Sequence, residues 1–109
     1  MSLGIEKLEM ASVFSPQGRI DGANAGALEA ALLAAIDPVV PRIVLDLAQV
    51  EYISSAGLRV VVLVGKRLKQ RGGKLVLCNL QALVLEVFEI SGLVGLVAIT
   101  GNRSAALAA

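Results

Sequence analysis

Two adjacent hydroxyls, Ser54 and Ser55, stand where the chain changes from strand-like to helix-like pattern. Val44-Leu45-Asp46-Leu47 leads through Val50-Glu51-Tyr52-Ile53 to Ser54-Ser55-Ala56-Gly57-Leu58. Serine as a catalytic nucleophile usually relies on a neighbouring base, and this chain has no histidine, so Ser-His-Asp and Cys-His catalysis are excluded. A serine at the start of a helix has a plainer role. Its oxygen accepts a bond from an orphan backbone N–H, a contribution of about 1 kcal/mol. The residues alone favour that capping role for both serines. The nine carboxylates form no catalytic constellation. Asp21 reads as a turn or helix-start residue, and Asp46 as a strand-end brace for the loop that follows. Gly57 suits close packing or close approach of a partner in the first helical turn. Cys78, the one cysteine, cannot form an internal disulfide and reads as a small core hydrophobe. Without histidine it offers no zinc set, and no glycine loop of the Walker type is present. The expectation is a protein that is not an enzyme and uses no metal or cofactor.

These groups must be held by a small aliphatic fold. The chain has 109 residues, 56% of them hydrophobic and only 3% aromatic, enough for one domain over 1–109 with a Val, Leu, Ile and Ala core. Ten Lys/Arg against nine Asp/Glu leave a net charge of +1, which gives no support for nucleic-acid binding. A membrane-spanning helix needs roughly 20 mostly apolar residues, and no such run occurs. The first residues lack the basic and apolar regions of a signal peptide. A single thiol fits a reducing compartment, and a cytoplasmic location is the expectation.

Ser15-Pro16-Gln17-Gly18 has the composition of a type I turn and predicts a hairpin between Ile5–Phe14 and Gly18–Ile20. Ala27, Leu28, Ala31, Leu32 and Ala35 recur at helical spacing over 24–36, with Asp37-Pro38 as the stop. Arg42 to Leu47 reads as a central strand. A helix starts at Ser54 or Ser55 and runs to about Arg71, with Leu58, Val61, Val62, Gly65 and Leu68 as its core stripe. Gly72-Gly73 ends it. Lys74 to Cys78 is a buried strand, and Gln81 to Ile90 a helix with Leu83, Val84, Val87 and Phe88 on its apolar side. Gly95 to Ile99 is a last strand, and the tail from 103 to 109 is a short helix or a frayed end. The order β-β-α-β-α-β-α-β predicts an α/β fold: a mixed sheet of about five strands with helices packed on it.

Gly18-Arg19-Ile20-Asp21, the strand Ile43–Leu47, Ser54-Ser55-Ala56-Gly57-Leu58 and Gly72-Gly73-Lys74-Leu75 occur in the order and spacing of a known family. The chain resembles a STAS domain, and most of all the free-standing bacterial anti-sigma factor antagonists. The resemblance implies a STAS-like fold and a serine phosphorylated by an anti-sigma factor that is also a Ser kinase. Carried onto this chain, the acceptor is Ser55. Two departures matter: Ser54 stands where the family often has Asp, and Ala56 where it has Ser or Thr. Ser54 is therefore the alternative acceptor.

The resemblance further implies partner switching: the unphosphorylated domain holds the anti-sigma factor, the phosphorylated one lets go, and a serine phosphatase resets it. Asp21, Ser54, Ser55, Ala56 and Gly57 would border that surface. Arg59, Val60, Leu63 and Lys66 lie off the expected core stripe and would extend it along the second helix. Residues 52 to 85 carry six basic side chains and no acid, which suits an acidic partner. A phosphate brings about −1.5 to −2 charges, tolerable at a helix N-terminus but costly for a partner to desolvate beside Asp46 or Glu51. Release without refolding is the expectation. The alternative is a STAS module that binds a small ligand, a lipid or nucleotide, or serves a transport complex.

Overall fold

Apolar residues that alternate between two buried faces set the architecture. The computed structural model describes residues 1–36, 42–95 and 97–109. Strands β1 (Ser2–Lys7) and β2 (Ala11–Ile20) precede helix α1 (Ala25–Ala34). Then come β3 (Arg42–Asp46), β4 (Val50–Ile53), α2 (Ser55–Gln70), β5 (Lys74–Cys78), α3 (Ala82–Ile90), β6 (Ala98–Thr100) and α4 (Arg103–Ala108). The sheet runs β1-β2-β3-β5-β6, with β4 beside β2 as a sixth strand. β1 and β2 are antiparallel, and the other pairs are parallel. This is the mixed α/β fold expected from the sequence, with β4 added and the tail folded as a helix.

Phe14, Ile43, Leu45, Leu75 and Leu77 point into the main core with Leu28 and Leu32 of α1, Val61, Val64 and Leu68 of α2, and Val84 and Phe88 of α3. Val13, Val44, Val76 and Cys78, the alternate residues, point to the opposite face and meet Ala106 of α4. Burial on both faces explains why β3 and β5 are nearly continuous apolar runs. It also explains why the tail folds: α4 covers the second face.

Three expectations need correction. The hairpin turn lies at Leu8–Met10, where Leu8 N–H donates to the Ala11 carbonyl at 2.8 Å; Ser15-Pro16-Gln17-Gly18 lies within β2. β2 pairs with β3 over 11–14 and with β4 over 18–20. Pro16 falls in the gap between these two ladders, where it removes no bond to either. Gly18, at φ 95°, sits at the register shift that redirects the strand, a bulge that favours glycine. The second correction concerns the loop expected after Asp46, within which Val50–Ile53 forms β4. The third concerns the last strand, which spans Ala98–Thr100 rather than Gly95–Ile99. The stop at Asp37-Pro38 lies outside the described residues.

Helix α2 ends as expected. Gly73 N–H donates to the Leu68 carbonyl at 2.8 Å and Gly72 N–H to that of Lys69 at 3.2 Å, with Gly72 at φ 75°. This is the Schellman arrangement.

α4 is clasped to the sheet by Arg103. Its Nε and Nη2 donate to Asp46 Oδ2 at 3.2 and 3.1 Å, and Nη2 also donates to Ser15 Oγ at 3.2 Å. Asp46 Oδ1 accepts from Ala48 N–H at 3.1 Å and Asn79 Nδ2 at 3.2 Å. Arg42 donates to the Leu107 carbonyl. The Arg103 side chain is 41% exposed, so solvent screens much of the pair. Arg103→Ala is therefore expected to cost only about 1 kcal/mol in urea unfolding. A loss below the error of that measurement would show that the Arg103–Asp46 pair adds nothing to the docking of α4.

Cys78 is a buried core residue, as its type suggested. Burial pushes its thiol up from 9.0 to about 11, the Asp46 carboxylate adds to the rise, and Arg103 opposes it. The folded chain thus holds a proton that the unfolded chain loses between pH 9 and 11. Its contribution to stability is present below that window and falls as pH rises through it. A disulfide reagent at pH 8 is expected to react with native Cys78 only as fast as the chain opens, and at once in denaturant. Immediate reaction in buffer would contradict its burial.

Candidate functional site

The site forms where two parallel strands end together. Ile20 closes β2 and Ile53 closes β4, opposite one another, and Ser54 N–H continues the ladder by donating to the Ile20 carbonyl at 2.8 Å. Ser54 is the N-cap of α2. Its Oγ accepts from Gly57 N–H at 3.3 Å, and the side chain is half-buried. Ser55 is the first helical residue and is exposed. No hydrogen bond engages its hydroxyl among the described residues. The two serines thus divide the roles that the sequence left open: one caps, the other stands free at the positive end of a sixteen-residue helix.

Asp21 lies beside this point, on the loop between β2 and α1. Its Oδ1 accepts from Ala23 N–H at 3.0 Å, and its N–H donates to Asn24 Oδ1 at 3.0 Å. Asn24 in turn donates to the Arg19 carbonyl at 2.8 Å. Asp21 therefore shapes the loop next to Ser54, the turn role its position suggested. Gly57 is buried against the two strand ends. A Cβ there would lie 2.7 Å from Ile53 Cγ1 and 2.8 Å from Ile20 Cγ2. Close packing, rather than approach of a partner, requires this glycine.

Helix α2 is rotated from its expected orientation. Gly57, Val60, Val61, Val64 and Leu68 are buried, so Val60, at 5% exposure, belongs to the core and not to an outer face. Leu58, Val62 and Gly65, expected in the stripe, are only half-buried. The cause is composition: Leu58 and the run Val60–Val64 are apolar almost all round the helix, so periodicity alone cannot orient it. Arg59, Leu63, Lys66, Arg67 and Gln70 are exposed. Their spacing of i, i+4, i+7, i+8 and i+11 puts them on one outward stripe, and Ala56 is half-buried at its start.

The expected like charge at Asp46 is corrected as well. Asp46 is buried and committed to Arg103, Asn79 and Ala48, so the exposed acid on the strand leading to Ser54 is Glu51. Sequence reasoning missed Arg19 and Tyr52. They face each other across β2 and β4, with the guanidinium 4.2 Å from the ring centroid. The pair exists only through the β2–β4 ladder, which joins residues far apart in the chain.

Among the described residues no group of three or more His, Cys, Asp or Glu could hold a metal, and no helix is long and apolar enough to cross a membrane. Comparison with known proteins agrees with this geometry. A family model described as STAS domain matches residues 3–106. A protein of Bordetella bronchiseptica provisionally named anti-sigma factor antagonist BtrV is 49% identical over 109 residues, covering all of this chain and 94% of that one. The crystal structure of an anti-sigma factor antagonist from Mycobacterium paratuberculosis superposes with a TM-score of 0.88 at 26% identity, over 98% of this chain and 91% of that one. The phosphorylated form of the Bacillus cell fate determinant SpoIIAA shares the fold, with a TM-score of 0.74 at 21% identity over 95% and 96% of the two chains.

Proposed function

Because the chain belongs to the STAS domain family, we propose that it is an anti-sigma factor antagonist. It is a binding protein that holds an anti-sigma factor with Ser kinase activity and releases it when Ser55 is phosphorylated. A serine phosphatase returns it to the binding form. The observation that carries this reading is the free, exposed hydroxyl of Ser55 at the N-terminus of α2, beside a Ser54 that already serves as the cap. The 49% identity to BtrV over the whole chain supports the antagonist assignment.

The docking surface runs from Asp21 and Ser55 along the outward stripe of α2. Arg59, Leu63 and Lys66 supply two cations around one exposed apolar side chain, a composition suited to an acidic partner surface. The test is complex formation with the kinase-type anti-sigma factor of the same organism, read by co-elution and titration calorimetry. Arg59→Glu and Lys66→Glu are each expected to weaken binding about tenfold without altering the circular dichroism of the free chain. No complex with any such kinase would defeat the reading, and unchanged affinity in both variants would remove α2 from the surface. The small-ligand alternative rests on a cavity of about 500 Å³ rimmed by Arg42, Lys69 and Lys74. Its helical wall comes from the end of α2 remote from Ser55, and a thermal shift with nucleotides or fatty acids tests it.

A further inference from the structure

The outward face of α3 is apolar. Leu83 is 70% exposed and Ile90 79% exposed, with half-buried Val87 between them. Spacings of i, i+4 and i+7 make one stripe, and Leu83 corrects the expectation that it packs inward. The stripe and β4 border a groove of about 320 Å³ whose floor includes Ile53 and Val84. A soluble surface rarely leaves side chains this large together in water without a use.

The groove is acidic as well as apolar. Glu51 and Glu86 line it, Glu89 is exposed on the same helix, and no Lys or Arg occurs from Asn79 to Asn102. The nearby cation of β2, Arg19, is stacked on Tyr52. The groove is also held in shape. Gln81 Nε2 ties the start of α3 to the Ala48 carbonyl at 2.9 Å. Ser91 Oγ donates to the Val87 and Phe88 carbonyls at its end, at 2.8 and 3.1 Å.

We propose that this groove docks an amphipathic, basic helix of a partner protein, with large aliphatic side chains at i, i+4 and i+7 flanked by Lys or Arg. Aliphatic anchors fill the space between α3 and β4, and flanking cations meet Glu51 and Glu86. The outward stripe of α2 on a second copy is a poorer occupant, because it offers one exposed apolar anchor, Leu63. Ser55 does not line the groove, and docking there does not need its hydroxyl to be phosphorylated.

The probe is a fluorescent helical peptide of Leu and Lys in that pattern, titrated against the full unphosphorylated chain, with a Leu and Glu peptide as its counterpart. Saturable binding of the basic peptide alone is expected, with amide NMR shifts clustered at 51–53 and 82–91. Glu86→Lys and Ile90→Ser should each weaken binding about tenfold. Met10→Ser, which removes an exposed apolar side chain elsewhere, should not. Equal binding of the acidic peptide, shifts that cluster on α2, or unaltered affinity in both groove variants would overturn the proposal. So would sedimentation showing that a second copy covers the groove.

Discussion

Incubation with the anti-sigma factor kinase proposed as its partner, and ATP, is expected to add one phosphate to this chain, absent in Ser55→Ala and retained in Ser54→Ala. The division of labour between the serines predicts this asymmetry. Ser54 Oγ is engaged with Gly57 N–H, and its side chain is half-buried. The Ser55 hydroxyl is exposed and free to reach a kinase. A phosphate on Ser55 places about −1.5 to −2 charges at the N-terminus of α2, where the helix dipole and unpaired N–H groups favour an anion. Circular dichroism and melting temperature should therefore hardly change. The partner fares differently, since it would have to desolvate the new charge. A penalty of about 3 kcal/mol weakens the complex about a hundredfold, measurable by calorimetry on the purified phosphoprotein. Phosphate found on Ser54 instead, or undiminished affinity of the phosphorylated chain, would sink the switch. A large change in the NMR spectrum far from α2 would show that release works through refolding rather than at the surface.

Gly57→Ala should destabilise the domain by about 2 kcal/mol, although alanine is the better helix former. Two effects compete. Replacing glycine by alanine inside a helix gains about 1 kcal/mol. Against this, the new methyl would sit 2.7 and 2.8 Å from Ile53 and Ile20, both buried core residues at the strand ends. Overpacking of this kind costs roughly 1–3 kcal/mol, and two contacts under 3 Å with different strands place the cost at the upper end. The same push lifts the first turn of α2 from the strand ends and moves Ser55 with it. Partner affinity should fall together with stability in urea unfolding. A variant as stable as the parent would mean that the first turn of α2 shifts freely, and that the site is not rigidly placed.

Much of this was legible in the residues because it is local. The runs Arg42–Leu47 and Lys74–Cys78 could only be strands buried on both faces. Gly72-Gly73 could end a helix as they do, and two serines ahead of a long apolar segment marked its start. Residue type and order along the chain suffice for each. Where several packings were compatible with the pattern, the residues were ambiguous. Pro16 and Gly18 have turn composition, yet β2 runs through them because β3 and β4 pair with its two halves.

The sequence alone established the fold class, the order of most elements, the place of the serine pair and the absence of histidine. Tertiary structure decided which serine is free, since the bond from Ser54 N–H to the Ile20 carbonyl holds Ser54 at the strand end as the cap and leaves Ser55 outside. It decided that Val60 turns inward while Leu63 stays out, because the contacts of α2 with α1 and the sheet rotate a helix that is apolar nearly all round. It joined Arg103 to Asp46, 57 positions apart in the chain, and left Leu83 and Ile90 on the outside. Periodicity and capping act over a few residues, whereas rotation, pairing and exposure depend on residues brought together only by the completed fold.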